Sequence, residues 1–252
     1  MPHRLLPLLA SLLILFAGPA AARTEAPTDF SDWAVAIVAG DWRSSRGQPI
    51  QAFDNAVRDL KSGFIAAGFR PANIDAFTLR PDVPTPVTPQ QAAQRLQSVA
   101  ARATGGCLLY FTSHGSPQGI VFGTGGVDPR TMAAVVQSLC GQRPTVVVVS
   151  ACFSGVFIDS LAAPNRMVMT AARRDRSSFG CSEDATHPYF DGCIIQSLPQ
   201  SGDFLDLAAR ARRCVAERET AEGLSPPSEP QLRVGAEAQL LLPFLRFSRA
   251  AA

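Results

Sequence analysis

The sequence predicts an α/β domain, with a mostly parallel central sheet and helices packed on both faces. Two observations carry this. Strand-like and helix-like stretches alternate along most of the chain, and the strand-like ones are apolar at nearly every position, as strands buried on both faces must be. A third observation says where the chemistry sits. Two of the strands end in a reactive side chain followed by small residues, "LLYFTSHG" in His114 and "TVVVVSACFSG" in Cys152.

The elements follow in order. "WAVAIVAG" (33–40) reads as a buried strand ending in a glycine turn. In "IQAFDNAVRDLKSGFIAAGF" (50–69) the apolar Phe53, Ala56, Val57, Leu60 and Phe64 share one helical face, and Gly68 is a C-terminal stop. "IDAFTL" (74–79) is a second strand. "RPDVPTPVTP" (80–89) holds four prolines and forms a loop, because each proline removes a backbone donor. A helix over 89–104 leads into the strand "GCLLYFTS" (106–113). "DPRTMAAVVQSLC" (128–140) is a helix capped by Asp128 with Pro129 in its first turn. "TVVVVSA" (145–151) is a strand, "FIDSLA" a short helix and "RMVMTAA" (166–172) another strand. Beyond it, the polar 173–192 reads as a functional loop. A helix from Asp203, with Phe204, Leu207, Ala208 and Ala211 on one side, precedes a final strand after "LSPPSEPQLRVG".

The chain starts with Arg4, an apolar run from Leu5 to Ala17 and small residues at 20–22, the pattern of a signal peptide cut after Ala22. The run is shorter than the ~20 residues that span a bilayer. The expected organisation is therefore a signal peptide at 1–22, a short leader at 23–32, one domain at 33–247 and a tail at 248–252. The mature chain is expected to be secreted or periplasmic, with no stable membrane insertion. About 230 residues suffice for one substantial core. The formal net charge of +2 over the whole sequence, with no basic stripe, makes nucleic acid an unlikely partner class.

All six cysteines, Cys107, Cys140, Cys152, Cys181, Cys193 and Cys214, fall in the mature chain, where export would let disulfides persist. If Cys152 stays a thiol, at most two disulfides can form among the other five, and a second thiol remains. Cys181 and Cys193 bracket a loop and are one candidate pair, with connectivity left open. Cys181, His187 and Cys193 have neither the ligand number nor the spacing of structural zinc, and no metal is expected.

In open parallel sheets ligands bind beyond the carboxyl ends of the strands. His114 and Cys152 both stand there, on strands that successive pairing would bring to ~4.8 Å of one another. A thiol attacks as thiolate, which a neighbouring imidazole promotes. Gly115 and Gly155 let backbone approach a ligand closely, and backbone N–H groups at such turns can hold an oxyanion. The reaction class is acyl transfer from a peptide or amide to sulfur, followed by hydrolysis.

"YFTSHGSPQGIVFG", "VVSACFSG" and "MTAARRDRSSFGCS", in this order and spacing, resemble the legumain-like cysteine peptidases, relatives of the caspases, and most closely their short bacterial members. The similarity runs from about Trp33 to the final "PQLRVG" strand. It implies a caspase-like three-layer sandwich, no metal or cofactor, and a peptide or protein substrate. It makes His114 the general base or acid, Cys152 the nucleophile, and the backbone N–H groups of Gly115 and Cys152 the oxyanion hole. It places Ser177 and Ser178 in the substrate pocket with Ser150 and Asp191, although Ser150 stands where legumains have an acidic residue and Asp191–Gly192 reverses their Gly-Asp order. Arg43 or Arg46 would supply the pocket's positive charge. A transamidase using the same dyad, and a scaffold that has lost catalysis, are the alternative readings; oligomeric state is left open.

Overall fold

The computed structural model describes residues 29–248. The expected signal peptide at 1–22 and residues 249–252 of the expected tail lie outside them. The central sheet has six strands: β1 (Trp33–Ala39), β2 (Ile74–Thr78), β3 (Gly106–Thr112), β7 (Thr145–Ser150), β8 (Arg166–Thr170) and β9 (Gln231–Val234), in the order β2-β1-β3-β7-β8-β9. All neighbours are parallel except β8 and β9. Between β3 and β7 the chain makes a separate three-stranded antiparallel sheet from β4 (Gly115–Ser116), β5 (Gly119–Phe122) and β6 (Gly125–Val127).

Strand alternation sorts the apolar residues into two cores. Val35, Ile37, Leu108, Tyr110, Val146, Val148 and Met169 face one side. There they meet α1 (Ala52–Ala66), α5 (Tyr189–Ser197) and α6 (Phe204–Ala221). Val38, Leu109, Phe111, Val147 and Val149 face the other side, against α2 (Pro89–Ala100), α3 (Pro129–Cys140) and the short α4 (Ile158–Leu161). The uniform apolarity of the strands is thus a consequence of two covered faces, and the architecture is the three-layer caspase-like sandwich.

Helix starts follow local chemistry. Thr88 and Gln91 form a reciprocal capping box on α2. The Asp128 carboxylate accepts from the Arg130 and Thr131 N–H groups at 2.8 and 3.0 Å, and Asp203 accepts from the Asp206 N–H at 2.9 Å. No helix among the described residues is long and apolar enough to cross a membrane.

Three expectations are corrected. Phe30, assigned to the leader, has no exposed surface and stacks on Phe69 at 4.7 Å between ring centroids, so the core starts ahead of Trp33. The loop expected to run to Gly192 ends at Pro188, because 189–197 is helix α5; its apolar Phe190, Cys193 and Ile194 are buried and favour a helix despite the polar approach. The third correction concerns the cysteines. Cys181 does not pair with Cys193. Cys193 bonds Cys214 across α5 and α6, with Cα atoms 5.7 Å apart, while Cys107 bonds Cys140. Cys152 and Cys181 are free, and Cys193 is spent as a ligand for any metal.

Non-reducing peptide mapping of the oxidised protein should therefore return the Cys107–Cys140 and Cys193–Cys214 links and two alkylatable thiols. A Cys181–Cys193 link would contradict the packing of α5 on α6. Replacing both Cys193 and Cys214 by alanine should lower unfolding free energy in urea by about 3 kcal/mol, from the length of the loop they close.

Candidate active site

The two reactive side chains meet because β3 and β7 pair in parallel with Thr112 opposite Ser150. The Ser113 N–H donates to the Ser150 carbonyl at 3.0 Å and extends this pairing past the strand ends. His114 and Cys152 thus stand two residues on, at matching positions.

Past Ser150 the backbone turns sharply. Phe153 adopts φ 58°, a left-handed conformation unfavourable for a residue with a side chain. Such strain persists only where surroundings enforce it. Here the Phe153 N–H donates to the Arg176 carbonyl at 2.7 Å, and the buried Ser154 hydroxyl accepts from the Ala172 N–H at 3.2 Å. Gly155 lies so close to the same segment that a Cβ would stand 2.4 Å from the Arg174 nitrogen. The turn carrying Cys152 is therefore clamped to 172–176, and that segment leads to the serine pair. The Cys152 sulfur accepts from the Ser178 N–H at 3.2 Å and lies 3.4 Å from the Ser178 carbonyl and 3.5 Å from its hydroxyl. Ser177 is exposed beside it.

The imidazole of His114 is oriented by main chain. Its Nε2 lies 2.7 Å from the Arg43 carbonyl. A carbonyl can only accept, so Nε2 carries the proton and Nδ1 is left as the basic nitrogen. The Phe53 ring meets it edge to face, 5.3 Å between centroids. Arg43 contributes through its backbone; its guanidinium pairs with Asp41 at 2.8 Å and covers Trp42. Arg46 is exposed.

At Gly115 a Cβ would come within 2.2 Å of the Cys152 carbonyl oxygen, so no side chain fits. The Val121 N–H donates to the His114 carbonyl at 2.9 Å, a register that pairs Gly115 with Ile120 and leaves the Gly115 N–H outside the ladder. The Cys152 N–H also has no acceptor among the described residues. Gly115 and Cys152, each with a backbone N–H that has no acceptor among the described residues, thus approach each other through main chain. On the His114 side opens a groove of about 360 Å³, lined by Gly115, Ser116, Gln118, Ile120 and Val127 among others.

Ser150 and Asp191 differ from the pocket role expected of them. Both are buried, Asp191 completely. They lie one layer beneath the dyad, where Asp191, in the first turn of α5, points into the sheet. Tyr110 and Thr112 hydroxyls donate to its two oxygens at 2.6 and 2.5 Å, and the Ser150 hydroxyl bonds it as well. Burial pushes the Asp191 carboxyl up to about 6, against the lowering effect of these hydroxyls.

The two free thiols are chemically distinct. Burial, reinforced by Cys152 and by the Asp191 and Asp41 carboxylates, pushes the Cys181 thiol well up, so it stays protonated. Both thiols are partly exposed; the Cys152 sulfur differs in accepting the Ser178 N–H and in ending the strand beside that of His114. Among the described residues no group of His, Cys, Asp or Glu is arranged to hold a metal ion.

The crystal structure of caspase-1 from Spodoptera frugiperda has the same fold, with a TM-score of 0.60 at 13% identity, covering 83% of this chain and 89% of that one. A search of curated proteins finds no match. Residues 90–207, the segment that holds both His114 and Cys152, match the Peptidase C13 family. The match spans just under half of the chain, which is thus similar over that segment to the Peptidase C13 family and shares its overall fold with a caspase.

The Asp191 network carries a pH signature. Its proton is held more tightly in the folded chain, so its contribution to stability is fully present below the ordinary value of 3.8 and is lost as pH rises through about 6. Asp191→Asn cannot lose it. Wild-type stability minus that of this variant, measured by urea unfolding, should fall by roughly 2–3 kcal/mol between about pH 4 and about pH 7. A constant gap would show that Asp191 does not titrate there.

Proposed function

We propose that the chain is an exported cysteine endopeptidase working through a Cys152–His114 dyad and an acyl-enzyme. The observation that carries this is the bond from Nε2 of His114 to the Arg43 carbonyl, which leaves Nδ1 basic at the strand end matching that of Cys152.

In this reading His114 Nδ1 takes the thiol proton as the Cys152 sulfur attacks the scissile carbonyl carbon. The Gly115 and Cys152 N–H groups hold the developing oxyanion. As the C–N bond breaks, Nδ1 returns the proton to the leaving amine, and the acyl group remains on sulfur as a thioester. Water, deprotonated by Nδ1, then releases the acid and the thiol. Ser177 and Ser178 flank the sulfur on the acyl side. The leaving amine departs past His114 into the neighbouring groove. That groove also supports a second reading, transamidation, in which an acceptor amine seated there replaces water. A Cys152 that is free of both disulfides and stands at the strand end matching that of His114 favours catalysis over a silent scaffold. Export rests on the N-terminal pattern and agrees with two disulfides, which persist in oxidising compartments.

A panel of peptides varied at the residue before the scissile bond, incubated with the chain from Arg23 under mild reduction, should include at least one that is cut. Cys152→Ala and His114→Ala should each lower turnover by about three orders of magnitude or more, because members of such a unit fail together. Full turnover in Cys152→Ala would defeat the proposal, and amide products with an added amine would favour transamidation. Gly115→Ala, whose Cβ would displace the Cys152 carbonyl, should cost about 100-fold in kcat, the scale of a lost oxyanion donor, with little change in KM. An unchanged kcat would remove Gly115 from the oxyanion hole.

A further inference from the structure

The sheet has an open edge at β9. The Gly235 N–H donates to the Arg166 carbonyl at 2.8 Å, and Arg233 and Gln231 lie opposite Val168 and Thr170. In an antiparallel ladder successive residues turn their backbone groups alternately toward and away from the partner. The N–H and C=O groups of Leu232 and Val234 therefore face outward, and no strand pairs there among the described residues. Both residues are partly exposed.

Beside this edge a groove of about 490 Å³ separates β9 from α6, with Ala209, Ala216, Arg212 and Arg213 on the helix side and Glu229 to Gln231 on the strand side. The small Ala209 and Ala216 keep it wide. Arg210 and Arg218, the other arginines of α6, are paired with Asp206 and Glu222, whereas exposed Arg212 and Arg213 have no carboxylate partner among the described residues. Arg233, on the strand itself, is also exposed and unpaired there. Glu229 is already paired with Arg173 at 2.7 Å. Open main-chain donors and acceptors thus adjoin two guanidinium groups that form no ion pair among the described residues.

We infer that β9 and α6 form a docking surface for an extended acidic segment of another protein, which adds a strand to the sheet through Leu232 and Val234 and sets its carboxylates against Arg212 and Arg213. Main-chain bonds supply the affinity of strand addition, and alternate side chains supply its selectivity. Every second residue of the added strand projects to the same side, so acidic residues at alternate positions match the arginine wall. A second copy of this chain is disfavoured, because pairing β9 with itself would oppose Arg233 and the helix arginines to their own like charges. The β9 end of the groove adjoins Arg173, whose N–H donates to the Ser228 carbonyl at 2.8 Å. An occupant would therefore reach the start of the segment that carries Ser177 and Ser178.

The test is fluorescence anisotropy of a labelled acetyl-Glu-Val-Glu-Val-Glu-Val-Glu peptide with Cys152→Ala protein, which makes it independent of turnover. Saturable binding that weakens with salt is expected, and the peptide with Lys in place of Glu should not bind. Arg212→Ala with Arg213→Ala should weaken binding by about tenfold or more. Val234→Pro removes an outward N–H, tolerated at an edge, and leaves an apolar ring against the core that Val234 packs on; it should abolish binding while circular dichroism stays unchanged. Val234→Pro binding as well as the parent, or the Lys peptide binding equally, would overturn the inference. So would a dimer in sedimentation that Val234→Pro dissociates, since a second copy would then hold the edge.

Discussion

The parallel pairing of β3 with β7, in a register that sets Thr112 opposite Ser150, governs the rest of the site. A parallel ladder offers no side chain to hold its register, so the register depends on burial. Shifting either strand by one residue would turn its apolar set to the opposite face and expose neither core correctly. Val147 and Val149 in one core and Val146 and Val148 in the other lock β7 from both sides. The same lock delivers thiol and imidazole to one cleft. Chemistry at the strand ends therefore inherits the rigidity of the core beneath it.

The layer just below the dyad is polar, and it is where the sheet departs from its apolar rule. Tyr110, Thr112 and Ser150 share the α5 face of the sheet with the residues above them and converge on Asp191. A buried carboxyl with its hydroxyl partners satisfied constrains rotamers more tightly than an apolar side chain would. The residues two positions before His114 and before Cys152 are thereby tied to one group. The cleft floor is stiff in the direction that separates Cys152 from His114.

The sequence made the alternation of strands and helices, the three-layer architecture and the pair His114 and Cys152 legible, because long apolar periodicities and strand ends are local signals. What it concealed depends on contacts distant along the chain. Arg43 orients His114 through a carbonyl, a group every residue possesses, so no side-chain pattern marks it. Helix α5 begins after Pro188 and contains Gly192, a local composition that reads as loop; burial against α1 and α6 decides otherwise. β4 to β6 are glycine-rich and of low strand propensity, and only their mutual pairing reveals them. The pocket role expected of Asp191 came from the resemblance, in which Asp191–Gly192 stands in place of a Gly-Asp pair. Its direction into the sheet follows from the helix that carries it.

The pattern of disulfides has a consequence for the order of oxidation. For a chain delivered N-terminus first, Cys107 and Cys140 emerge before any other thiol, so the earliest pairing available is the native one. The next two thiols to appear are Cys152 and Cys181, the two that stay free in the fold. Only a thiolate attacks a disulfide or is readily oxidised, and burial keeps the Cys181 sulfur protonated once its segment is packed. Cys193 and Cys214 then close on each other across their helices. The order of the cysteines along the chain thus sets the two that end free between the two native pairs.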